Sequence, residues 1–178
     1  AKLGSIRLAV TPSVAQTVLP PVLLQFMQDH PNVRIDLRDM DSAAVAEELT
    51  HDRADIGLAS IAALPGFERQ TLFSDAFGVV CRADHPLSQN WHDLNWTDLQ
   101  GVDFIANGLC AQITDEAFQP VLEAARLTVR NTASLLGLVQ AGMGLTLLPR
   151  LAVLPGFSDL CFLPLRDTTV RRTVWMVT

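Results

Sequence analysis

Hydroxyl and amide side chains stand where four predicted strands of this chain end, and their chemistry suits a small ligand. Ligands of α/β sheets bind beyond the carboxyl ends of the strands. Hydroxyls and amides donate hydrogen bonds to a carboxylate without adding a buried charge, so we predict a site for a small organic anion. The alternative is that they are only helix caps and turn formers. The candidate ligand-binding residues are Thr11, Ser13, Ser60, Ile61, Asn107, Gly108, Asn131 and Thr132.

Two of these candidates begin predicted helices that follow or precede a strand. Asn131 opens an apolar helical pattern that breaks at Gly142 and Gly144, after which a short buried strand leads to Pro149. Near the start of the chain, a strand ending at Val10 leads through Thr11 into another helix. Helix N-termini carry unpaired backbone N–H groups and favour anions, so both positions support the predicted ligand chemistry.

Patterns of catalytic or metal-binding residues do not emerge from the sequence. Cys81, His85 and His92 come closest to a metal cluster, but their spacing fits no tetrahedral zinc pattern. The chain contains no HExxH, GxSxG, GxGxxG or GxxxxGK[ST] motif. We therefore expect a protein that is not an enzyme, with no catalytic residue, no metal and no cofactor.

The composition limits which binding partners and which cellular compartment we expect for this chain. The formal net charge of -6 disfavours direct contact with nucleic acid, which requires a basic surface. The adjacent Arg171 and Arg172 are interpreted as a solvated strand start. Three cysteines without close spacing indicate a reducing compartment, and we expect the cytoplasm. No apolar run has the length of about 18 residues that a membrane span needs, so we expect no membrane partner.

Strands and helices alternate in the first part of the chain, which predicts parallel strands joined by helical crossovers. The helix after the first strand should bury the stripe of Leu19, Val22, Leu23, Phe26, Met27 and His30. Leu24 lies off that stripe and is either simply exposed or part of a subunit contact. Two extended runs then follow, residues 67–73 and 77–81, separated by Ser74 and Asp75.

The order of these elements predicts two lobes. We place lobe I at residues 1–73 plus 146–178 and lobe II at residues 74–145, with the chain crossing near Ser74 and returning near Gly144. Ser74, Gly142 and Gly144 are the predicted hinge residues.

Several segments, in this order, resemble the effector-binding domain of LysR-type bacterial transcriptional regulators. The resemblance covers nearly the whole chain. The matching segments are GSIRLAV, TPSVAQTVLPPVLLQFMQDHPNVRIDL, ELTHDRADIGLAS, FGVVCRADHPLS, WTDLQGVDFIA and LLGLVQAGMGLTLLP.

The resemblance implies an α/β fold of two Rossmann-like lobes joined by two crossing strands, as in type II periplasmic binding proteins. It implies a small-molecule effector in the cleft between the lobes, contacted by Thr11, Ser13, Ser60, Asn107 and Asn131 or Thr132. It also implies a homodimer or homotetramer through this regulatory domain. DNA binding would belong to an N-terminal winged helix-turn-helix, so we expect this chain to be one domain of a longer regulator.

Three alternatives stay open at this point. A periplasmic-type solute-binding protein shares the two-lobed design, but it would require a secretion signal and an oxidising compartment. An enzyme on the same fold would be revealed by turnover. Some family members sense peroxide through two cysteines, and Cys110 lies in the corresponding region without an evident partner thiol.

Overall fold

A computed structural model describes residues 4–90 and 93–178 of the chain. These residues form two compact units. The first unit comprises the chain up to Ser74 together with Thr173–Thr178, and the second unit comprises Asp75–Arg172. The strands and helices are β1 (Ser5–Val10), α1 (Leu19–Asp29), β2 (Arg34–Asp39), α2 (Ser42–Thr50), β3 (Ile56–Ala59), β4 (Arg69–Arg82), β5 (Ile105–Ala106), α3 (Gln119–Ala124), β6 (Leu127–Thr128), α4 (Thr132–Gln140), β7 (Thr146–Pro149), β8 (Leu160–Pro164) and β9 (Arg171–Val177).

The first unit has the parallel order that its sequence pattern predicts. β1 pairs in parallel with β2 on one side and with β3 on the other, and β9 pairs antiparallel with β3. Successive residues of β1 point to opposite faces, so Val10 packs with Val14 and Leu58 while Ala9 packs with Val45 and Leu49. Both faces of this sheet are therefore covered by apolar side chains.

The predicted buried stripe of the first helix is only partly correct. Leu19 is buried, and Leu23 and Phe26 are half-buried, whereas Val22 and Met27 are 56% and 50% exposed and His30 is exposed as well. The three inward residues follow the i, i+4, i+7 spacing of one narrow face, which leaves Val22 and Met27 on its flanks. Leu24, which the sequence left open, is 65% exposed.

The second unit is built around β4. β4 pairs antiparallel with β7 along one edge and with β8 along the other, and β5 and β6 form a separate parallel pair. Phe77, Val79 and Cys81 contribute to one apolar cluster of this unit, whereas Val80 contributes to another.

β4 runs without a break through the position where a gap was predicted. Asp75, expected to separate two strands, is 92% buried within β4, because its carboxylate is bound on both oxygens. Arg172 donates from Nε and Nη2 to Asp75 at 2.9 Å each, and the backbone N–H of Leu151 donates to Asp75 at 2.9 Å. The solvated start predicted for β9 is thus wrong for Arg172, which is only 2% exposed, while Arg171 is exposed as expected.

The structure moves the predicted return to the first lobe. Residues 146–172 lie in the second unit, because β7 and β8 both pair with residues 77–82 of β4. The second change of unit falls between Arg172 and Thr173, within β9. β4 and β9 are thus the two strands that contain residues of both units.

The hinge prediction changes accordingly. Ser74 is the last residue of the first unit before the first change, whereas Gly142 and Gly144 lie inside the second unit. They form the turn between α4 and β7, with φ angles of 87° and 151°. A Cβ on Gly144 would lie 2.3 Å from the carbonyl oxygen of Asp103, so glycine is required there by the turn and the close packing.

Candidate functional site

The carboxyl ends of β1, β2 and β3 gather hydroxyl residues in the first unit, and we call this place the first edge. Thr11 directly follows β1, Ser60 directly follows β3, and Ser42 begins the helix after β2. The strands are parallel neighbours, and the backbone N–H of Thr11 donates to the carbonyl of Leu58 at 3.0 Å. The structure therefore places two of the predicted candidates, Thr11 and Ser60, at the ends of neighbouring strands.

Thr11 is the most unusual residue of the first edge. It is 94% buried, yet its hydroxyl oxygen has no hydrogen-bond partner among the described residues. Its carbonyl accepts the first helical hydrogen bonds, from Val14 and Ala15 at 3.1 Å each, so it occupies the N-cap position of the following helix. An N-cap threonine normally uses its hydroxyl to accept a bond from the first turn. A buried unpartnered hydroxyl costs about 1–3 kcal/mol, so it calls for a further partner.

The helix that begins after Thr11 has an irregular first part. Residues Val14–Val18 form a π-helical segment, and the N–H of Leu19 donates back to the carbonyl of Val14. The hydroxyl of Thr17 donates to the carbonyl of Ser13, which is 2% exposed. Short π segments occur often at functional sites because they redirect side chains and backbone groups locally.

Ser42 completes the first edge, and the sequence did not assign it a ligand role. Its hydroxyl accepts a hydrogen bond from the backbone N–H of Ser60 at 3.1 Å. Asp41 caps the same helix by accepting from the N–H of Ala44 at 2.9 Å. The rule that selected Thr11 and Ser60, a polar residue after a strand, also selects Ser42, so the signal was present.

Ile61, another predicted ligand residue, is half-buried and lies beside a cation. The Arg69 guanidinium donates to the carbonyl of Ile61 at 3.1 Å and lies 3.8 Å above the ring of Trp175. Arg7 and Arg38, by contrast, are held by carboxylates of the same unit. The hydrogen bond from Arg7 lowers the pKa of Asp55. No motif marked Arg69, which is isolated in sequence from the hydroxyl positions.

The carboxyl ends of β5 and β6 form a corresponding place in the second unit, which we call the second edge. Asn107 follows β5 and is 94% buried. Its amide nitrogen donates to the Thr146 hydroxyl and to the Leu147 carbonyl, both at 2.9 Å, and its oxygen accepts from the Leu109 N–H at 3.0 Å. Thr146 in turn donates to the carbonyl of Ile105 at 2.6 Å. Asn107 thus fastens β5 to β7.

The other predicted residues of the second edge are less buried than Asn107. Asn131 is exposed and caps α4, with its oxygen accepting from the Ser134 N–H at 3.0 Å. Thr132 is half-buried in the first turn of α4, and Gly108 is exposed. Ligand contacts by Asn107, Gly108, Asn131 and Thr132 stay predictions.

Metal-binding groups do not converge in the part of the chain that the structure describes, where no three His, Cys, Asp or Glu side chains could hold an ion together. Of the three residues considered from the sequence, His92 lies outside the described residues. The His85 Nδ1 accepts a hydrogen bond from the Leu87 N–H at 3.1 Å, and Cys81 is buried in strand β4. Across residues 4–90 and 93–178, no helix has both the length and the apolar character to span a bilayer.

Curated transcriptional regulators resemble this chain in sequence, and two of them serve as examples. It is 27% identical over 157 residues to LrrA of Synechococcus elongatus, a probable HTH-type transcriptional regulator, covering 85% of this chain and 52% of that protein. It is 27% identical over 172 residues to the HTH-type transcriptional regulator BenM of Acinetobacter baylyi, covering 92% of this chain and 57% of BenM. The chain therefore spans about half the length of these relatives.

Solved regulatory domains share the fold. The BenM effector-binding domain with its effector benzoate matches with a TM-score of 0.73 at 24% identity, covering 100% of this chain and 84% of that domain. The regulatory domain of Synechocystis CcmR in complex with 2-PG matches with a TM-score of 0.81 at 20% identity, covering 98% of this chain and 87% of that one. These likenesses confirm the predicted α/β fold of the type II periplasmic-binding-protein kind.

A sequence model described as the LysR substrate binding domain matches residues 2–178, which is nearly the entire chain. Together with the curated regulators and the shared fold, this match confirms the resemblance drawn from the sequence segments. The chain belongs to the LysR substrate-binding domain family.

Proposed function

We propose that this chain binds a small organic anion at the first edge and acts as the effector-sensing part of a transcriptional regulator. Thr11, Ser13, Ser60 and Ile61 are the proposed contacts in the first unit. The observation that carries the proposal is the Thr11 hydroxyl, which is buried at the start of a helix and has no hydrogen-bond partner within residues 4–90 and 93–178.

The physical setting of Thr11 favours an anion. The helix N-terminus contributes a partial positive charge, and its first N–H groups lack acceptors within the helix. A carboxylate can accept from the hydroxyl and from such N–H groups together, which are strong charge-assisted hydrogen bonds. Binding would then supply the hydrogen-bond partner that the Thr11 hydroxyl lacks among the described residues.

The relatives support this chemical class. Benzoate, the effector in the BenM structure, is a carboxylate. Their names describe transcriptional regulators, and the matched regions cover 52% of LrrA and 57% of BenM. In the whole regulator, DNA binding would belong to a separate winged helix-turn-helix, consistent with the net charge of -6 here.

The proposal also includes the cellular compartment and the oligomeric partner of the protein. The protein would act in the cytoplasm and bind its effector without turnover, as a sensor. Val22, Leu24 and Met27 on α1 are each at least half exposed, which suits a homodimer contact. The coupling between effector and DNA binding needs only about 1–3 kcal/mol.

Thr11→Val tests the proposal, because valine keeps the shape of threonine and removes the hydroxyl. A thermal-shift screen of organic acids, amino acids and aromatic carboxylates first supplies a ligand. We expect Thr11→Val to weaken binding of that ligand about tenfold or more, since a hydrogen bond to a charged group contributes about 1.5–3 kcal/mol. Calorimetric titration measures the affinity.

The stability of the ligand-free variant separates binding from folding. Removing an unpartnered hydroxyl should leave the melting temperature unchanged or raise it. Thr50→Val is the matched control, since Thr50 is exposed and its hydroxyl already donates to the Glu47 carbonyl. Unchanged affinity in Thr11→Val, with a lowered melting temperature, would refute the proposed site.

A further inference from the structure

Two cysteines that are far apart in sequence lie directly opposite each other in the second unit. In the antiparallel pair of β4 and β8, Cys81 is the register partner of Cys161. Directly opposed residues point to the same face of a sheet. Both cysteines accordingly pack against the same apolar cluster.

The spacing of such a pair suits a disulfide. Directly opposed residues of antiparallel strands have Cα atoms about 4.5–5.5 Å apart. Disulfides span Cα distances of about 4.4–6.8 Å. The register of the two cysteines thus agrees with the Cα spacing that a disulfide requires, and both thiols are free in this structure.

The two thiols differ in access. Cys161 is partly exposed, whereas Cys81 is fully buried. Burial, the neighbouring Cys161 and Asp84 raise the pKa of the Cys81 thiol to about 11. A small oxidant would therefore meet Cys161 first, and it is the position of Cys81 opposite Cys161 that places it for the second step.

We propose that Cys81 and Cys161 form a cross-strand dithiol that a peroxide converts to a disulfide. The sulfur of Cys161 attacks the peroxide, whose O–O bond breaks, giving a sulfenic acid and an alcohol, or water from hydrogen peroxide. The sulfur of Cys81 then attacks the sulfenic sulfur, the S–O bond breaks, and water leaves. The two thiols lose two electrons and two protons in total, and the peroxide gains them.

Cys110, the cysteine that the sequence singled out for redox chemistry, provides the contrast. It is 1% exposed in a short helical turn after Asn107. Cys110 lies outside the strands, and none of the strand pairs described places another cysteine opposite it. We therefore expect Cys110 to stay reduced.

Peptide mapping of the purified chain after treatment with hydrogen peroxide tests the pair. Denaturing alkylation should show free thiols falling from three to one, with one peptide pair linked through Cys81 and Cys161. Dithiothreitol should restore all three thiols. Cys110→Ala should leave the link unchanged, and Cys161→Ser should abolish it.

Cys81→Ser examines the order of the two steps. This variant should retain an unresolved sulfenic acid on Cys161, which dimedone traps and mass spectrometry detects. A link that includes Cys110, or irreversible oxidation of Cys161 in the wild-type chain without any link to Cys81, would overturn the proposal. The mapping uses the wild-type chain, so the decision does not depend on whether a variant folds.

Discussion

The first and second edges carry similar residues but differ in how far those residues are already bonded. At the first edge the Thr11 hydroxyl is buried without a partner among the described residues. At the second edge, Asn107 is just as buried, and both ends of its amide are hydrogen-bonded to the protein. A polar residue that follows a strand can thus hold the fold together, as Asn107 does, or recognise a ligand, as we propose for Thr11.

The difference indicates which substitutions should affect folding. The buried polar groups of the second unit form two bonded pairs, Asn107 with Thr146 and Asp75 with Arg172, and each pair also bonds to the backbone. Removing one member leaves the others unsatisfied in a medium of low dielectric constant. Substitutions there should therefore affect folding, whereas substitution of Thr11 should affect binding.

The largest expected effect is that of Asp75→Ala. It tests the comparison where the buried, bonded groups of the second unit are charged. It removes the carboxylate from a guanidinium that is 2% exposed, so we expect a loss of about 3–5 kcal/mol in the free energy of unfolding. Urea denaturation measures it. The double variant Asp75→Ala with Arg172→Met should recover part of the loss. A loss below about 1 kcal/mol in the single variant would contradict a structural role for the pair.

Thr146→Val should have the next largest effect. The Thr146 hydroxyl donates to Ile105 and accepts from Asn107, so its removal leaves two buried groups each short of a hydrogen bond. We expect a loss of about 1–3 kcal/mol in the free energy of unfolding. Thr11→Val is the matched control, because the same substitution there should cost nothing. Equal losses in the two variants would break the comparison between the edges.

Asn131→Ala should have the smallest effect of the three substitutions in the second unit. It removes the cap that accepts from the Ser134 N–H, at an expected cost of about 1 kcal/mol by thermal or urea unfolding. Asn131→Ser keeps a capping oxygen and should restore most of the stability. A weaker affinity for the ligand in both variants would show that Asn131 also contacts the effector, which would make the two edges more alike.

Local sequence patterns predicted much of the fold. The alternation of strands and helices gave the parallel order β2, β1, β3, and the polar residues after those strands gave the first edge. The cap at Asn131 and the turn at Gly142 and Gly144 also follow local rules. These features depend on residues within a few positions of one another, so a single sequence is sufficient to predict them.

Long-range pairing explains what was missed. Asp75 and Arg172 are separated by 97 positions, so each looked like a solvated or strand-breaking charge when taken alone. Period-two alternation was a usable sign, since Asp75 shares its face of β4 with Phe77 and Arg172 shares its face of β9 with Val174. The return of the chain was misplaced for the same reason, because only the pairing of β7 and β8 with β4 assigns residues 146–172 to the second unit.

The π-helical segment Val14–Val18 has a consequence for the surface of α1. A π turn holds about one residue more than an α turn, so it absorbs an extra residue without changing the direction of the side chains that follow it. After this turn Leu19 is buried, while the apolar side chains of Val22, Leu24 and Met27 point outward. One residue can thus be gained or lost beside the proposed anion site at Thr11 while the outward apolar face of α1 keeps its direction.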